Sequence, residues 1–232
     1  MKRTSLSALV LLCFAGAASA QTIDVRFVGS GAGESITVTS PSVNGGLFAG
    51  QLRHELSNPL GGTPVDMAGT RNTYCIDLGQ YVATNTTTYA YLDTNAPSIF
   101  TGNAAIDARL TAISWLFSRD GAAASSTSDN AVAAGMQVAL WEVITDWDPN
   151  VGRASLDLGS GAFMAGASPA VLAQANAFLD NAIPGLGLPA DVAILADGVF
   201  QDQITLVPTP GAALVAGTGI LWMMGRRRRS AQ

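Results

Sequence analysis

The stretch Asn130–Asp148, NAVAAGMQVALWEVITDWD, decides how the chain is read. Its apolar residues recur at three- and four-residue spacing, the period of a helix with a face toward a core. Ser128 and Asp129 just ahead of it are good N-cap residues, able to take up N–H groups that a first turn leaves free. Gln137 and Trp141 are four positions apart and therefore share a face, with Ile144 continuing the row. The expectation is one amphipathic helix that carries an amide and an indole side by side.

The sequence on both sides of this helix changes character. Upstream, Thr22–Val28, Glu34–Thr39, Leu47–Leu56 and Thr73–Leu78 have strand alternation, with Gly29–Gly33 read as the turn between the first two. Tyr81–Leu92 has the composition of a strand pair turning near Asn85–Thr88. Asn103–Arg119 spaces Ile106, Leu110, Ile113, Leu116 and Phe117 as a helical stripe, and Asp120–Ser128 reads as a flexible connector. Downstream, Asp146–Arg153 is loop, and Ser168-Pro169 opens a helix through Ile183, with Ser at N-cap and Pro at N1. Asp191–Ala196 and Val199–Val207 return to strand. The fold class expected is α+β: a sheet or sandwich built from both ends of a single domain over 21–206, with helices inserted between.

The two ends are targeting segments. Lys2 and Arg3, the apolar run Leu6–Ala15 and Ala18-Ser19-Ala20 have the layout of a secretory signal peptide over residues 1–20. Cys13 would leave with it. At the other end Pro208-Thr209-Pro210 leads into the apolar run Gly211–Gly225 and then Arg226, Arg227, Arg228 and Arg229. That run is shorter than the ~20 residues of a full membrane span, and the arginines behind it would stay cytoplasmic. Pro-x-Pro, a short Gly/Ala/Leu-rich run and a terminal arginine cluster resemble the PEP-CTERM sorting signal of Gram-negative bacteria, here over 207–232, with Thr209 where glutamate is usual. The resemblance implies an exosortase-type processing enzyme as partner, initial anchoring in the inner membrane, and delivery to the envelope, surface or extracellular matrix.

Between these ends the chain has six arginines, no lysine and all 17 acidic residues, a balance of −11. Such a surface repels nucleic acid and anionic lipid. About 190 residues suffice for a sizeable core. Cys75 is the only cysteine outside the signal peptide, so no intramolecular disulfide is available, and a lone thiol in an oxidising compartment calls for burial, intermolecular pairing or chemistry.

Cys75 in TYCIDL and Gln137 in GMQVALW supply the chemistry. A thiol that attacks a glutamine carboxamide with loss of ammonia leaves an internal thioester, provided that the two are held at attack distance and water is kept out. Tyr74-Cys75-Ile76 followed by Gln137-Val138-Ala139-Leu140-Trp141 resembles the thioester domain of bacterial surface adhesins. The resemblance implies a Cys75–Gln137 cross-link shielded by Trp141 and Tyr74, and one-time covalent capture of an amine- or hydroxyl-bearing molecule rather than enzymatic turnover. It implies no cofactor. The alternative is a buried, inert Cys75 in a non-covalent structural or carbohydrate-binding matrix protein with the same export route.

Two further features are weighed. Asp146, Asp148, Asn150 and Asp157 have part of the EF-hand spacing, but Val151 stands where the loop glycine belongs and Pro149 intrudes, so a plain acidic loop is the preferred reading. His54, the only histidine, is read as a solvated strand residue. With one histidine and no Ser/His/Asp arrangement, ordinary hydrolase chemistry has little to work with.

Overall fold

The computed structural model describes residues 20–93, 103–182, 189 and 191–208. The expected signal peptide ahead of residue 20, Pro210, the apolar run and the four terminal arginines lie outside the described residues. Among the described residues, no helix is long and apolar enough to cross a membrane.

The fold is α+β, with strands from both ends of the chain and helices between. Ten elements are used below: β1 (Thr22–Thr39), β2 (Asn44–Leu60), β3 (Gly69–Cys75), β4 (Thr87–Asp93), α1 (Ala104–Ser126), α2 (Asn130–Asp146), β5 (Met164–Gly166), α3 (Pro169–Asp180), β6 (Val192–Ala196) and β7 (Gln203–Leu206). All strand pairs are antiparallel, in the order β2-β3-β7-β6-β4-β1-β5. Because β1 also pairs with β2, the first six strands form a closed ring, and β5 extends only the far half of β1. Closure removes the free edges that an open sheet exposes.

The glycine run expected as a turn is instead strand. β1 passes through Gly29–Gly33 with register shifts at Phe27/Gly29 and Ser30/Gly33, so the turn falls at Ser40–Val43. Gly50 opposes this bulged segment at φ +149°, and a Cβ there would sit 2.4 Å from the Ala32 carbonyl. Glycine permits the close backbone approach, and the bulges bend the hairpin. The near half of β1 joins the barrel through β4, and the far half runs on to β5.

Strand alternation separates two cores. Ile23, Val25, Leu56, Tyr89, Tyr91, Ala193 and Leu195 fill the barrel. The alternate residues Val192, Ile194, Ile204 and Tyr74 join the helices in a larger core.

Other boundaries also differ from the sequence reading. α1 continues through the expected connector to Ser126, since the Ala122–Ala124 run favours helix and Gly121 and Ala124 are buried. The expected pair over Tyr81–Leu92 is the single strand β4, and the last expected strand is reduced to β7. Residues 197–202 turn instead, with Asp197 Oδ1 accepting the N–H groups of Val199 and Phe200. α2 is not amphipathic: every residue from Ala133 to Val143 is buried. α1, α3, β1 and β2 all pack on it, leaving no solvent face. The last residues expected in the third helix, from Ile183, lie outside the described residues.

Candidate functional site

β3 loses its partner where Cys75 begins. The β2–β3 pairing ends at Leu52 opposite Thr73, while the β7 side continues through Cys75 opposite Gln203 and the Ile76 N–H to the Asp202 carbonyl. Cys75 therefore has a backbone edge with no strand beside it, and it is buried. Gln137 from α2 takes the vacated place. The Cys75 N–H donates to Gln137 Oε1 at 3.0 Å, and Gln137 Nε2 donates to the Cys75 carbonyl at 2.7 Å. One side-chain amide substitutes for a strand, satisfying both groups that would otherwise be buried unpaired.

α2 is placed for this by its two neighbours. Asp129 Oδ1 accepts the Ala131 and Val132 N–H groups as N-cap. Gly135, one half-turn before Gln137, lies against α3, where a Cβ would meet Gln174 Cβ at 2.6 Å. Any larger residue would push the helices apart at the level of the amide.

The sulfur is enclosed as well. Trp141 Nε1–H donates to Cys75 Sγ at 3.4 Å, and the thiol donates to the Asp77 carbonyl at 2.9 Å. Cys75 is 2% exposed. Burial pushes its thiol up to about 12, against the smaller opposing effects of the Trp141 and Asp77 hydrogen bonds, so it is protonated at neutral pH. Trp141 is itself backed by Phe163, with ring centroids 6.3 Å apart.

The structure places Cys75, Gln137 and Trp141 side by side, with Gln137 on the Cys75 backbone and Trp141 on its sulfur. Tyr74 serves otherwise. Alternation turns it to the opposite side of β3, where its ring meets Phe117 edge-on and its hydroxyl donates to the Ala124 carbonyl at 2.7 Å. It holds the end of α1 and does not cover the sulfur. Gln51 and Asn72, which no local pattern singles out, join it there: Gln51 Nε2 donates to the Ala124 and Thr127 carbonyls and Asn72 Nδ2 to that of Ser125. Together they satisfy the carbonyls that a helix end leaves free and so fix where α2 starts.

His54 is buried at 2%, not solvated. Its Nδ1 lies 2.9 Å from Thr73 Oγ1, and the Thr73 hydroxyl donates to Gln203 Oε1, also at 2.9 Å. The Thr73 hydroxyl also lies 3.3 Å from the Leu52 carbonyl. Burial lowers the His54 pKa to about 4.

The acidic loop residues turn to nearby donors. Asp146 accepts from the Ala162 and Phe163 N–H groups, Asp148 from Asn150, and Asp157 from Gly159 and Ser160. Among the described residues, no group of three or more His, Cys, Asp or Glu side chains is placed to hold a metal ion. Glu142 is the exception to local pairing: Oε1 accepts from the Asp157 N–H at 2.6 Å while the buried Oε2 has no partner, and burial raises its pKa to about 7.

Compared with known proteins, the chain is matched by no family model, no curated protein and no solved structure.

Proposed function

We propose that the chain is an exported surface or extracellular-matrix protein whose Cys75 and Gln137 condense into an internal thioester, used once to attach covalently to an amine- or hydroxyl-bearing molecule. The observation that carries this reading is the Gln137 carboxamide clamped on the Cys75 backbone, with Trp141 N–H on the sulfur. In the condensation Sγ bonds to Gln137 Cδ, the Cδ–Nε2 bond breaks, and ammonia leaves with the thiol proton. The Cys75 N–H already points at Oε1, where negative charge gathers as the tetrahedral centre forms. Trp141 N–H favours charge on the sulfur. A thiol held at about 12 is a weak nucleophile at neutral pH, which suits a single maturation event rather than turnover.

The export route rests on the sequence at the two ends. It assigns removal of 207–232 to an exosortase-type enzyme after anchoring in the inner membrane. Deleting Arg226–Arg229 is expected to change the processed mass; an unchanged secreted product would end that part of the proposal.

Intact-mass measurement tests the thioester. The mature protein should be lighter than its sequence by one ammonia, and methylamine should add one molecule at Gln137, leaving the protein one methylene heavier than its sequence. Full sequence mass, or a deficit that survives Cys75→Ser, refutes it. A second reading, a non-covalent structural or carbohydrate-binding protein with the same route, is favoured by the completeness of the Gln137 clamp as a strand cap. Thiol labelling does not separate the two, because a free Cys75 at this burial resists reagents in the native state. Mass does.

A further inference from the structure

A cavity of about 420 Å³ opens between the β1–β2 turn and the segment after Cys75, within the ~300–1,000 Å³ usual for small-molecule sites. Trp141 is part of its wall and also the donor to Cys75 Sγ, so the cavity ends one side chain from the sulfur. Its lining contains no charged residue, although the chain around it is acidic. Asp77, just outside, turns its Oδ1 to the Gly79 N–H. An ammonium or carboxylate group entering the cavity therefore finds no counter-charge in the lining.

The wall provides other groups. Tyr81 stands at the mouth, 88% exposed, a large aromatic surface that the fold does not use. Phe48 lies partly buried opposite the Leu78–Val82 segment. Among the described residues, the Ser42 hydroxyl and the Asn44 amide make no side-chain hydrogen bond within the protein, leaving a donor and acceptor set at the same rim. Aromatic faces beside uncharged amide and hydroxyl groups match a ligand with apolar C–H faces and many hydroxyls.

We infer that this cavity binds a neutral carbohydrate, and that the acyl acceptor of the site is a sugar hydroxyl. The first part stands by itself; the second rests on the thioester reading. In the transfer the sugar oxygen bonds to Gln137 Cδ, the Cδ–Sγ bond breaks, and the hydroxyl proton passes to the sulfur, regenerating the thiol and leaving an ester.

The test uses full-length Cys75→Ser protein, which cannot form a thioester, with cellohexaose and maltohexaose as probes and hexalysine as the cationic comparator. Titration followed by tryptophan fluorescence and calorimetry should show saturable binding of at least one oligosaccharide and none of hexalysine. Tyr81→Ala and Asn44→Ala should each weaken it at least tenfold, while Tyr81→Phe should retain it. No oligosaccharide binding, binding unchanged in Tyr81→Ala, or preference for hexalysine overturns the inference. The two ideas fail separately: an ammonia deficit in the parent without sugar binding leaves the thioester and removes the glycan site, and sugar binding without a deficit does the reverse.

Discussion

The barrel interior and the helix-facing core both bury polar side chains, and they satisfy them in different ways. Inside the barrel His54, Thr73, Gln203 and Gln201 are linked side chain to side chain, and Thr73, Gln203 and Gln201 reach nearby carbonyls as well. In the helix-facing core Gln137, Gln51, Asn72 and Glu142 reach to backbone: Cys75, Ala124, Ser125 and Asp157. The barrel strands already pair one another, so its polar residues form one linked chain that also reaches the carbonyls beside it. The helices have no ladder to the sheet, and these side chains make the attachment wherever a regular ladder stops. The candidate site is one such attachment, with a thiol beside it.

The largest expected effect is in the helix-facing core. Phe117→Ala removes a fully buried ring that packs on Tyr74 and should cost ~4 kcal/mol in urea unfolding. A loss below ~1 kcal/mol would show that α1 is only loosely docked. Gln137→Ala comes next. It strips the partners from two buried backbone groups and should cost ~3 kcal/mol, with faster amide exchange at Cys75. Unchanged exchange there would mean that another group caps the strand.

Acidity separates the two cores more finely. His54 has a folded pKa of about 4, below its ordinary 6.5, so its contribution is complete above pH 6.5 and is lost as pH falls toward 4. Glu142 has a folded pKa of about 7, above its ordinary 4.5, so its contribution is complete below pH 4.5 and is lost as pH rises through 7. Each is worth ~3 kcal/mol across its window, and the two oppose each other between pH 4.5 and 6.5. In Glu142→Gln, stability should fall more steeply on acidification than in the parent, and in His54→Asn the slope should reverse. Parallel pH profiles in all three proteins would contradict the assignment. The smallest effect is at the helix cap: Asp129→Ala should cost ~1 kcal/mol, read as a lower Tm without change in the mass test.

What the sequence made legible was local or chemically singular. α2 announced itself by its period and cap, and Cys75 by being the only cysteine beyond Cys13. Tertiary partners decided the rest. Gly29–Gly33 reads as a turn by composition, yet the same glycines allow a bulged strand once Gly50 lies opposite. His54 looks like an exposed strand residue until Thr73, 19 positions on, and Gln203, 130 positions beyond that, enclose it. Gln51 and Asn72 carry no local signal because their work is at a helix end more than 50 residues away. Tyr74, which the resemblance implies as a shield of the sulfur, is turned to the other side by strand alternation.

β7 lies between β3 and β6 in the closed ring, and the chain continues from it into 207–232. Tension on that tail does not arrive at a free edge where strands peel one bond at a time. It enters a strand held on both sides and is borne as shear, passing to β3 at Tyr74 and Cys75.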